Sequence, residues 1–169
     1  MRLCQSAWRV VMLSALLSVA AGVYALDKPS ETKGTAQLYL AGGKGDEPDS
    51  GNTCSIEIKP NGPDGPHVYD FPDEGCKDDD MYWYRIDNAP SATLITLYSE
   101  ADCPSDKYWW FRIRTYIQPT TTGWRKIEDL APIPLGSIIT GGIILDSKKY
   151  AHDEGPKLGG KLSCVKIDL

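Results

Sequence analysis

The chain has 169 residues, of which 18 are Lys or Arg and 23 are Asp or Glu, giving a formal net charge of −5. That length, with 41% hydrophobic residues, supports one domain around a real core. The acidity excludes a protein that wraps nucleic acid, whose phosphates require clustered Lys and Arg.

Residues 1–25 have the three parts of a removable secretion signal. Arg2 and Arg9 make the positive start, Val10 to Val23 is mostly apolar, and Val23-Tyr24-Ala25 fits a peptidase site. A membrane core about 30 Å thick needs roughly 20 apolar residues to cross. This run is shorter, and Ser14, Ser18 and Gly22 dilute it. The expectation is cleavage after Ala25 and a secreted or periplasmic product with no membrane span. Arg2, Arg9 and Cys4 leave with the signal, so the remainder is more acidic still. Residues 26–34 (LDKPSETKG) read as a flexible lead-in, and 35–169 as a single β-rich domain.

From residue 35 onward, short β-type runs alternate with turn-forming clusters. The predicted strands are 35–41, 54–59, 67–71, 81–87, 93–99, 108–117, 124–127, 138–145 and 161–167. GGKGDEPDSGN, KPNGPDGP, DNAPS and ADCPSD separate several of them, and their Gly, Pro, Asp and Asn residues set turns. Pro132 and Pro134 exclude a central strand in LAPIPLGS, because proline has no N–H for the ladder. Ile127 to Leu130 reads as one helical turn. Many short strands at this spacing predict an all-β fold, a small disulfide-stapled antiparallel β-sandwich or Greek-key-like barrel.

The strongest strand is Tyr108 to Ile117. Alternation puts Trp109, Phe111, Ile113 and Ile117 on one face and Tyr108, Trp110, Arg112, Arg114 and Tyr116 on the other. The first is a core face, and the second is aromatic and basic. Cys76 to Ile86 (CKDDDMYWYRI) echoes Cys103 to Ile113 (CPSDKYWWFRI) without a gap. The echo predicts two strands sharing a direction, with 93–99 returning between them in a meander. Tyr82, Tyr84 and Ile86 are then expected in the core, and Trp83, Arg85, Trp110, Arg112 and Arg114 on one side of a sheet. Trp, Tyr and Arg dominate binding hot spots, so these five are the candidate binding residues. The plainer alternative is that Arg85 and Arg112 cover their own tryptophans as cation–π pairs.

Four cysteines remain after the signal: Cys54, Cys76, Cys103 and Cys164. An even number in an oxidising compartment predicts two disulfides. Their spacings of 22, 27 and 61 residues contain no C-x₂₋₄-C knuckle, which argues against zinc. In a meander, Cys76 and Cys103 would sit on strands roughly 9–10 Å apart, too far for a disulfide. The preferred pairing is Cys54–Cys76 and Cys103–Cys164.

Chemistry leaves little trace. His67 and His152 sit beside turn residues, and neither HExxH nor G-x-S-x-G is present. Asp73, Glu74, Asp78, Asp79 and Asp80 surround Cys76; such acids bind Ca²⁺ or work in pairs on glycosides, but here a solvated acidic turn is the simpler reading. No cofactor and no metal is expected. Three functions are consistent with this sequence. The first is an exported protein-binding domain of inhibitor or immunity type, neutralising a hydrolase or toxin. The alternative is a glycan or cell-envelope binding module, and the third is a small secreted hydrolase.

Overall fold

The computed structural model describes residues 34–150 and 158–169. The predicted signal 1–25, residues 26–33 of the predicted lead-in 26–34, and His152 lie outside them.

Two antiparallel sheets form the fold. In chain order the strands are β1 (Gln37–Gly42), β2 (Asp49–Glu57), β3 (His67–Asp70), β4 (Trp83–Asp87), β5 (Leu94–Tyr98), β6 (Trp110–Thr115), β7 (Arg125–Lys126), β8 (Ile138–Thr140), β9 (Ile143–Lys149) and β10 (Cys164–Asp168). One sheet has four strands in the order β2-β1-β4-β7; the other has six, in the order β3-β10-β5-β6-β9-β8. A short helix, α1 (Phe71–Glu74), ends at Gly75 in the left-handed conformation, and a single 3-10 turn covers Glu128–Leu130. The 3-10 turn lies where one helical turn was expected. The predicted strand 138–145 is instead a hairpin, β8 and β9, that reverses at Gly141-Gly142. Gly142 turns there with φ +95° against the Thr120 side chain, a backbone conformation that a side chain would strain.

Alternation along the strands builds the core between the sheets. Leu38 and Leu40 of β1 and Tyr84 and Ile86 of β4 face inward from the smaller sheet. They meet Ile95 and Leu97 of β5, Phe111 and Ile113 of β6, Ile143 and Leu145 of β9, and Val165 and Ile167 of β10. All are buried, which is what period-2 alternation with one solvated face requires. Trp109 is buried against Phe111, with ring centroids 5.4 Å apart. The expected core faces of both echoed segments are therefore present, with two adjustments. Tyr82 is only half-buried, and Ile117, which lies beyond the end of β6, is exposed.

The meander is not present. β4 belongs to the four-stranded sheet, whereas β5 and β6 are neighbours in the six-stranded one. The chain crosses from one sheet to the other through Asn88–Thr93, where Asn88 and Ala92 take left-handed conformations. The echo thus places matching strands in opposite sheets.

Both expected disulfides form. Cys54 of β2 bonds Cys76, just after α1, and Cys103 of the β5–β6 loop bonds Cys164 of β10; in each the Cα atoms are 5.3 Å apart. The pairing holds although the meander geometry used to reach it does not. The first bond ties the edge strand β2 to the segment that follows the opposite edge strand β3. Tyr69 of β3 reinforces that edge, its hydroxyl donating to the Glu57 carbonyl at 3.0 Å.

Candidate functional site

Because β4 and β6 lie in different sheets, the five candidate binding residues do not share one face. Trp83 and Arg85 project from the outer face of the four-stranded sheet. Trp110, Arg112 and Arg114 project from that of the six-stranded sheet. The chain therefore has two separate aromatic and basic faces.

On the six-stranded sheet, register sets up cross-strand rows. Thr96, Arg112 and Ser147 stand side by side, and so do Leu94, Arg114, Ile144 and Ile138. Trp110 is half-buried, with its indole N–H donating to the Ser105 carbonyl at 3.0 Å. Arg112 lies over that ring at 5.8 Å, and its Nε donates to the Thr96 hydroxyl at 3.2 Å. Arg114 pairs with Asp146 at 3.3 Å. Exposed large apolar groups continue this face: Tyr116 follows the outward residues of β6, and Ile138, on the edge strand β8, is 64% exposed. Ile138 and Ile144 escape a sequence reading that treats 138–145 as one strand.

On the four-stranded sheet, Arg85 stands opposite Tyr39 of β1. Its guanidinium lies 4.3 Å from the Tyr39 ring centroid and 5.2 Å from that of Trp124. Arg85 does not cover Trp83, as the plainer alternative supposed; Arg112 does cover Trp110. Trp83 is buried although it faces outward. Lys126, its partner across β7, lies over the ring at 5.2 Å, and the indole N–H donates to the Gly43 carbonyl at 2.9 Å. Tyr39 and Trp124 were not singled out in the sequence. The available signal was a tyrosine on the polar side of β1 and a tryptophan beside a two-residue strand.

A third feature is a cleft of about 600 Å³ lined by Lys44, Tyr82, Lys126, Glu128 and the Gly159-Gly160 backbone. An ion pair between Lys161 and Asp79, 2.7 Å long, borders this cleft and a neighbouring depression of about 490 Å³. The Asp79 carboxylate, as hydrogen-bond acceptor and as negative charge, holds the Lys161 ammonium above its ordinary pKa. Lys126 is likewise beside acids, 3.4 Å from Asp46 and 3.7 Å from Glu128. Matched charges of this kind stabilise one another.

His67 Nε2 lies 2.9 Å from the Pro60 carbonyl and its ring is near that of Tyr69. Among the described residues, no group of three or more His, Cys, Asp or Glu side chains is placed to hold a metal ion. No described helix is long and apolar enough to cross a membrane. Comparison with protein families, with curated proteins and with solved structures finds no match to this chain.

Proposed function

We propose that this chain is an exported protein-binding domain, of inhibitor or immunity type, that engages its partner through the outer face of the six-stranded sheet. The observation that carries this reading is the composition of one continuous face. Trp110, Arg112, Arg114 and Tyr116 project from β6, with Ile144 and Ile138 alongside. Large aromatic area, directed guanidinium donors and exposed aliphatic groups are what protein interfaces place at their centres. Arg112 and Arg114 on this face offer directed donors to acidic groups at a partner's rim. The two disulfides support residence in an oxidising compartment.

The test is affinity capture from cell-envelope extracts in parallel with three proteins: wild type, Trp110→Ala/Arg112→Ala, and Arg85→Gln. The expected result is a partner retained by wild type and by Arg85→Gln, released by moderate salt, and lost from the double variant. Truncating an anchor of this type costs about 2 kcal/mol or more of binding. Equal recovery by wild type and the double variant refutes the assignment of this face.

A further inference from the structure

The other outer face carries a different chemistry. Four arginines fall among the described residues, and three of them have an oxygen acceptor. Arg112 donates to Thr96, Arg114 is paired with Asp146, and Arg125 donates to Thr140. Arg85 alone among them has none, and its Nε is buried without a partner. Tyr39 at 4.3 Å and Trp124 at 5.2 Å provide the aromatic contacts of its guanidinium. Rings compensate a cation through their electron-rich faces but accept no in-plane hydrogen bond. The N–H fork is thus held in place and its charge is unneutralised. This is the arrangement that matches the two oxygens of a carboxylate.

The surroundings decide what would carry that carboxylate. Ser55 completes the row of Tyr39 and Arg85; in the next row Gln37 stands between Glu57 and Asp87, whose carboxylate accepts from Thr121. Side chains of these types can donate to and accept from the hydroxyl groups of a ligand. None of the large exposed apolar side chains of the described residues lies on β1, β2, β4 or β7. The face therefore lacks the apolar centre of a protein interface and has the polar, aromatic-flanked character suited to a sugar.

We propose that Arg85, held by Tyr39 and Trp124, is the carboxylate-binding centre of a site for an acidic saccharide of the uronic-acid class. The site is separate from the protein-binding face, and the two are tested independently.

Tryptophan fluorescence, with calorimetry as a second readout, follows titration of the purified protein with trigalacturonate, its methyl ester and a glutamate-containing tripeptide. The acid is expected to bind, and the ester to bind at least about tenfold more weakly, since losing a charge-assisted hydrogen bond costs on that order. Arg85→Gln should lose a similar factor. Arg85→Lys should also weaken binding, because it keeps the charge but not the planar fork. Trp110→Ala/Arg112→Ala should bind like wild type. Any one of three outcomes overturns the proposal: acid and ester binding alike, no binding of the acid at millimolar concentration, or binding of the tripeptide in preference to the acid. The comparison of acid with ester uses the wild-type protein, so it stands even if an Arg85 variant folds poorly.

Discussion

Arg125 donates from Nη2 to the Thr140 hydroxyl at 2.9 Å, joining β7 at the edge of one sheet to β8 at the edge of the other. At the opposite edge Tyr69 of β3 reaches Glu57 of β2, and the Cys54–Cys76 bond ties the same region. Both pairs of edges are thus tied across the gap between sheets. Such ties hold short edge strands in place, where free ladder groups would otherwise recruit foreign strands.

Thr140→Val removes the acceptor while keeping a β-branched shape. Because Arg125 is exposed, the loss should be about 1 kcal/mol, below the usual range for hydrogen bonds to charged groups. Amide hydrogen exchange should accelerate in β7 and β8 and remain unchanged in β1 and β10. Uniform acceleration across both sheets would contradict a local tie.

Burial pushes the Tyr84 hydroxyl well above the ordinary tyrosine pKa; nearby Arg125 opposes this in part, and Asp129 adds to it. The folded protein therefore holds that proton more tightly than the unfolded chain does. Its contribution to stability is complete below the unfolded value of about 10 and is lost as pH rises beyond it. The hydroxyl also has no hydrogen-bond partner. Tyr84→Phe should be neutral or stabilising by up to about 1 kcal/mol at pH 7, since an unsatisfied group is removed. It should also show a shallower loss of stability in denaturant titrations above pH 10. A steeper alkaline loss than wild type would be inconsistent with this account.

Each disulfide constrains the unfolded chain. Loops of 22 and 61 residues correspond to about 3 and about 4 kcal/mol in the chain-entropy treatment. Cys54→Ala/Cys76→Ala and Cys103→Ala/Cys164→Ala should lower stability on that scale, with the second pair costing more. Non-reducing peptide mapping should recover the two native pairs, and a Cys76–Cys103 peptide would refute the connectivity.

Trp109→Ala should cost about 3–5 kcal/mol, as large aromatic truncations in cores do. Arg114→Ala, on the exposed face, should cost less than about 1 kcal/mol, the usual limit for an exposed ion pair. Urea midpoints of the two variants measure this contrast, and similar midpoints would mean that the faces of β6 are reversed.

The inward and outward sides of β4 and β6 are legible in the chain because alternation is a local property. Tyr84, Ile86, Phe111 and Ile113 could be assigned to a core from their spacing alone. Which sheet each strand joins is not local. The Asp87-Asn88-Ala89-Pro90-Ser91 stretch reads as a hairpin turn, yet the same residue types also make the corner by which the chain crosses between sheets. That ambiguity merged two faces into one and assigned Arg85 to the wrong neighbours. Tyr39 and Trp124 became visible as its partners only once β1 and β7 were seen beside β4.

In chain order β10 follows every other strand, yet in the six-stranded sheet it lies between β3 and β5. Until Cys164–Asp168 has emerged, β3 has no neighbour in its own sheet, and Cys103 lacks its partner. A chain made from its amino end cannot complete the larger sheet step by step; the place between β3 and β5 stays open until β10 is made. The pairings of β10 with β3 and with β5, both distant in sequence, therefore form after the β5-β6-β9-β8 pairings are already available.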